Sequence, residues 1–210
     1  LSKLAANSFD LPDNYALTGT VTGANSTQKL FLIKNLDASS SGTLSFVNGS
    51  SSVVLDNTYK TYLFRFNNIH AATDDKKFEF NVSIDSGSNY NVAKTTTFFE
   101  AYHDEGNSTT ALTYNTGVDL AQGTGYQTLL NGLGNGNDES VNGELYLFNP
   151  SSTTFIKHFI AKTQGYNHGN YSLNEFIGGY ANTTSAVDAV QFKMSSGNID
   201  SGRIALYGIK

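Results

Sequence analysis

The strictest constraint on what this chain can fold into is an alternation. Phe78, Phe80, Val82 and Ile84 are apolar, and Glu79, Asn81, Ser83 and Asp85 interleave them. Successive side chains of a strand point to opposite faces, so the run predicts a strand with one buried and one solvated face. It stops at Asp85-Ser86-Gly87-Ser88, a set of turn-forming residues.

The same period recurs along the chain. Tyr62 to Ile69 precedes this run and Thr96 to His103 follows it, so the three read as consecutive antiparallel strands of a meander. Further strands are predicted at Leu30 to Lys34, Thr43 to Val47, Ser52 to Leu55, Glu144 to Phe148, Thr154 to Lys162 and Glu175 to Tyr180. The chain closes on Asp188 to Met194 and Arg203 to Ile209, which read as a hairpin across a Ser/Gly/Asn turn. Within it Asp188, Val190, Phe192 and Met194 share one face, where an unpaired buried carboxylate would be costly. Asp188 is therefore expected at the strand end in water or capping a neighbouring loop.

Many short strands, polar turns and no convincing amphipathic helix specify an all-β protein, a two-sheet antiparallel β-sandwich. A jelly roll is the expected type. Two regions depart from the pattern. Residues 1–36 are expected to be an extended N-terminal attachment arm and leading strand, with Leu4, Phe9, Leu11, Tyr15 and Leu17 scattered among polar residues. The sandwich domain is expected over residues 37–210, with a long loop insertion at 104–142 in which Tyr126 to Leu133 has room for one or two helical turns.

Composition removes several function classes. Charged residues make up only 15% of the 210 residues, and the net charge is −5. Such a surface offers no general attraction to a phosphate backbone, so nucleic acid is not an expected partner. Cysteine is absent. That excludes disulfides, a thiol nucleophile and Cys-based zinc sites. No apolar run approaches the ~18 residues of a membrane-spanning helix, and Leu1 to Phe9 lacks the apolar core of a signal peptide. The expectation is a protein that is not inserted in a membrane and not conventionally secreted. Phe and Tyr supply the 12% aromatic content, enough large apolar surface to offset the entropy of ordering.

Catalytic patterns are missing. There is no Gly-x-Ser-x-Gly elbow, and Ser is too frequent for a Ser/His/Asp combination to carry information. Glycoside hydrolysis needs two carboxyls facing one cleft, yet Glu79, Glu100, Glu144 and Asp188 make no closely spaced pair on one strand face. His70, His103, His158 and His168 fall on separate elements, so no metal site is expected. The glycines at 132, 134 and 136 precede no helix and do not form a phosphate cradle. Neither cofactor nor catalytic residue is assigned. Glycan recognition needs less: an aromatic platform, a few amides and a rigid loop. Tyr126, Tyr166, Asn167, His168, Asn170 and Tyr171 sit in predicted loops and supply those groups.

Several segments carry a resemblance. They are Leu1-Ser2-Lys3-Leu4 with Asp13 to Gly23, Phe66 to Asp74, Leu147 to Ser152, Thr183 to Phe192 and the whole closing segment Ala186 to Ile209. In these the chain resembles virion structural proteins of tailed phages, of the marine type, with a lectin-like jelly roll. Tail fibres, spikes and capsid decoration proteins are among them. The resemblance implies a non-enzymatic protein on the particle surface, assembled in the host cytoplasm and, by analogy with that family, a homo-oligomer expected to be a trimer. Other virion proteins would hold it through the N-terminal arm, and a host surface glycan would be its outward partner. A short tail fibre or receptor-binding spike is the leading expectation, capsid decoration or cement the second. A glycan-degrading enzyme or free lectin is the competing class.

Overall fold

The computed structural model describes residues 29–210. The arm residues Leu4, Phe9, Leu11, Tyr15 and Leu17 lie outside the described residues.

Twelve strands and no helix build the described chain. They are β1 (Leu30–Asp37), β2 (Leu44–Val47), β3 (Thr61–Ala71), β4 (Lys76–Ser83), β5 (Lys94–Asp104), β6 (Thr110–Tyr114), β7 (Gln127–Leu133), β8 (Val141–Phe148), β9 (Lys157–Tyr166), β10 (Tyr171–Ala181), β11 (Ala189–Met194) and β12 (Ile199–Ile209). One sheet has eight strands in the order β1-β12-β3-β8-β9-β10-β5-β6 and the other has four in the order β2-β11-β4-β7. Every named pairing is antiparallel. The molecule is the expected two-sheet β-sandwich.

Alternation decides what is buried between the sheets. Phe78, Phe80 and Val82 of β4, Phe64 and Phe66 of β3, and Val190, Phe192 and Met194 of β11 are all buried. Phe192 is the hub. Its ring lies 5.3 Å from those of Phe64 and Phe66, 6.0 Å from Phe78 and 6.2 Å from Phe46, so residues from both sheets meet on one side chain. Such aromatic contacts add to the burial of area itself.

Several expectations are corrected by the pairing. The meander does not form: β3 pairs with β12 and β8, β4 with β11 and β7, and β5 with β10 and β6. The closing hairpin does not form either, because β11 lies in the four-stranded sheet and β12 in the eight-stranded one. Periodicity fixes which face of a strand is apolar but carries nothing about its edges, and edge partners are what define a hairpin. Ile84 lies past the end of β4 and is 41% exposed. Ser52 to Leu55 is not a strand; Val53 and Leu55 are buried from a turn in which Asn48 Oδ1 accepts the Leu55 N–H at 2.9 Å.

The region 104–142 is not a structureless insertion. It contains β6 and β7, and the stretch given helical turns is β7. Here the fold wins over local preference, since β7 fills the open edge of β4. The leading strand β1 is an edge of the eight-stranded sheet through its pairing with β12. Asp188 behaves as expected. Both of its carboxylate oxygens accept the Ser86 N–H at 3.0 Å, capping the turn that follows β4.

The outer face of the eight-stranded sheet is less polar than the alternation suggests. Leu32, Ile160, Phe99, Leu112 and Tyr114 are exposed on it, and the rings of Phe99 and Phe176 stack with centroids 4.9 Å apart. Lys162 covers the Phe176 ring at 5.2 Å.

Candidate functional site

At one end of the sandwich, residues of both sheets line a cleft of about 290 Å³. Its floor and one wall come from β5 and β10. In their register Glu100 faces Glu175 and Tyr102 faces Leu173. Directly opposed residues of an antiparallel pair project to the same face, which here is the inner one. The facing wall is Asn131 and Gly132 of β7, and the rim is closed by Asp75, Thr109, Asn167, His168 and Tyr171.

The turn between β9 and β10 is held by its own side chains. Asn167 Oδ1 accepts the N–H groups of Gly169 and Tyr171, each at 3.0 Å, and so fixes the turn that carries His168. With its oxygen occupied, Asn167 has its amide N–H pair to offer a ligand. His168 anchors the turn to the opposite sheet. Its backbone N–H donates to the Gly132 carbonyl at 3.1 Å, and its ring Nδ1 lies 3.0 Å from the same oxygen and 3.4 Å from Asp75 Oδ1. Both neighbours are acceptors, so Nδ1 carries the proton. Gly132 is needed for this contact. It has φ +72°, and a Cβ there would meet His168 Nδ1 at 3.1 Å.

Tyr102 and Tyr171 form an edge-to-face pair with centroids 5.7 Å apart at 84°. Both are partly exposed in the cleft. Beneath them lies the carboxyl pair. Glu175 is fully buried, and its two oxygens accept the Asn131 N–H at 3.1 and 3.3 Å. Burial pushes its pKa well above the ordinary carboxyl range, the nearby Glu100 charge pushes it further, and the Asn131 N–H opposes both. Glu100 is half-buried. Burial raises its pKa too, against a hydrogen bond from Asn115 Nδ2 to Oε1 at 3.2 Å. Two carboxyls placed side by side in this way hold protons unusually well.

The structure brings together three of the six residues singled out as glycan contacts, Asn167, His168 and Tyr171. Tyr166 and Asn170 flank the same turn and bond each other, Tyr166 O–H donating to Asn170 Oδ1 at 3.0 Å. Tyr126 stands elsewhere. It lies on the outer side of the four-stranded sheet, its hydroxyl bonded to Gln191 and its ring under Lys193 at 4.4 Å. Sequence reasoning missed Tyr102, Asn131 and the pairing of Glu100 with Glu175. The two glutamates are 75 positions apart, and only the β5 and β10 register joins them. The other acidic candidate, Glu144, faces outward on β8, where Tyr146 O–H donates to it at 3.3 Å.

The four histidines remain apart. His70 lies 3.4 Å from Asp200, His103 bonds Asn107 at 3.2 Å and His158 packs on Tyr180. Among the described residues no three His, Cys, Asp or Glu side chains converge as metal ligands would. No helix of the described chain is long and apolar enough to cross a membrane.

In class, then, the described chain is an antiparallel β-sandwich with a cleft lined by residues of both its sheets. No family model, curated protein or solved structure matches it.

Proposed function

We propose that this protein is a non-enzymatic surface component of a tailed-phage particle, and that its inter-sheet cleft binds a host surface glycan. The observation that carries the binding role is the convergence of Tyr102, Tyr171, Asn131, Asn167 and Glu100 on one cleft. Tyrosine rings cover the apolar faces of a sugar, while amide donors and a carboxyl acceptor meet its hydroxyls. The segments similar to phage virion proteins support the setting, with a short tail fibre or spike ahead of capsid decoration.

The carboxyl pair favours binding over cleavage. Glycoside hydrolysis needs two carboxyls that reach the substrate. Glu175 has no exposed surface, so Glu100 alone of the pair faces the cleft. The exposed apolar residues of the eight-stranded sheet fit the homo-oligomer that the resemblance implies, since symmetric association would cover them.

The test is a glycan array probed with the full chain and with Tyr171→Ala. Binding is expected, falling at least about tenfold in the variant, with no release of reducing sugar. Sugar release that is lost in Glu100→Gln would make the protein an enzyme. Absence of the chain from purified particles viewed by electron microscopy with a specific antibody would remove the virion assignment.

A further inference from the structure

A second buried constellation lies outside the cleft. Lys94, the first residue of β5, is fully buried, and among the described residues no carboxylate lies within ion-pair distance of it. Its Nζ donates to Asn81 Oδ1 at 2.6 Å and to the Val92 carbonyl at 2.9 Å. An ammonium group has three N–H bonds to satisfy, whereas a neutral amine has two and keeps a lone pair. Two acceptors therefore suit the amine. Burial pulls the pKa of Lys94 down to about 8, so the nucleophilic form is well populated in mildly alkaline solution.

Asn81, on β4, is equally buried and its amide is held at every polar atom. Nδ2 donates to the carbonyls of Tyr90 at 2.6 Å and Thr124 at 3.1 Å. Oδ1 accepts from Lys94 and also from the Val82 N–H at 2.9 Å. These contacts leave the amide one orientation. They also place a backbone N–H on the oxygen where negative charge would develop if Cγ were attacked.

We infer that Lys94 and Asn81 join in an intramolecular isopeptide bond. The unprotonated Nζ attacks Asn81 Cγ, and the charge that gathers on Oδ1 is met by the Val82 N–H. The Nζ–Cγ bond forms and the Cγ–Nδ2 bond breaks. One proton of the attacking nitrogen passes to Nδ2, which leaves as ammonia. The balance closes without oxidant, metal or cofactor. The product ties β4 of the four-stranded sheet to β5 of the eight-stranded sheet across the 84–93 crossover, in a chain that has no cysteine to do so.

Intact-mass spectrometry of the full chain, held at mildly alkaline pH before measurement, tests the bond. The expected mass is about 17 Da below that of the sequence, the loss of one ammonia. Trypsin should no longer cut after Lys94, so the peptide beginning at Phe78 runs to Lys157. A protease cutting before Asp85 should leave the segments on either side of that cut joined. Lys94→Arg is expected to restore the full sequence mass. A wild-type mass equal to that of the sequence, with normal cleavage after Lys94, overturns the inference. So does a mass deficit that persists in Lys94→Arg, which would assign the lost ammonia to a cyclised asparagine. If Lys94→Arg does not fold, the wild-type peptide map decides alone.

Discussion

At the scale of single residues, Glu175 makes the sharpest prediction. Its folded-state pKa is raised, so the folded protein binds that proton more tightly than the unfolded chain does. The stability this contributes is complete below the ordinary carboxyl value of 4.5 and is lost as pH rises through the raised value. Glu175→Gln keeps an acceptor for the Asn131 N–H and removes the titration. Thermal melting across pH should show the wild type losing stability relative to Glu175→Gln from about pH 4.5 upward; parallel curves would refute it. Phe192 is the other decisive residue, because rings from both sheets surround it. Phe192→Ala should cost about 3–5 kcal/mol in denaturant unfolding, and a loss below about 1 kcal/mol would contradict its role as the hub. Phe192 was legible from its place in an apolar alternation. Glu175 was not, because a lone glutamate in a strand gives no sign of the sheet that will cover it.

At the scale of elements, the strands were largely legible and their partners were not. Phe78 to Ser83 forms a strand with Phe78, Phe80 and Val82 turned inward as its alternation requires, but Asn81 and Ser83 on the other face are buried as well. β3 and β4 pair only with strands distant in sequence, and β5 pairs with distant β10 besides its neighbour β6. The reading of 126–133 as helical turns failed for the same reason. Local residues do not report an open sheet edge. The pairing of β12 with β3 shows a further feature that only geometry supplies. It slips twice, between Ile199 and Ser201 and again between Ser201 and Arg203, and Gly202 sits at the second slip with φ +110°. A Cβ there would meet the Asn68 carbonyl oxygen at 2.4 Å and Ile69 Cα at 2.7 Å. Gly202→Ala should therefore destabilise the fold by at least about 1 kcal/mol in chemical denaturation. An unchanged midpoint would mean that β12 can shift without loss.

At the scale of the whole molecule, the asymmetry between the sheets matters most. The eight-stranded sheet presents Ile160, Phe99, Leu112 and Tyr114 outward, whereas the proposed ligand cleft opens between the layers. The proposed self-association and the proposed ligand binding therefore call on separable surfaces. Introducing Ile160→Lys with Phe99→Lys should reduce the light-scattering mass to that of one 22.6 kDa chain while leaving glycan binding in place. A wild type that is already monomeric, or a double variant that keeps the larger mass, would remove this face as the contact between copies.

The sequence by itself determined the class of this protein. Alternation, turn residues and the absence of helical periodicity are local properties, and each follows from where successive side chains of one strand must point. It also placed the turn bearing Asn167, His168 and Tyr171 among the candidates, because amides and tyrosines clustered in a short segment are visible without a fold. Only the tertiary structure decided the strand order, the cleft and the companions of those residues. Glu100 meets Glu175, and Lys94 meets Asn81, through registers and crossovers set by long-range packing. The physical reason is that a strand's faces are written in its own residues, whereas its neighbours depend on every other strand competing for the same edge.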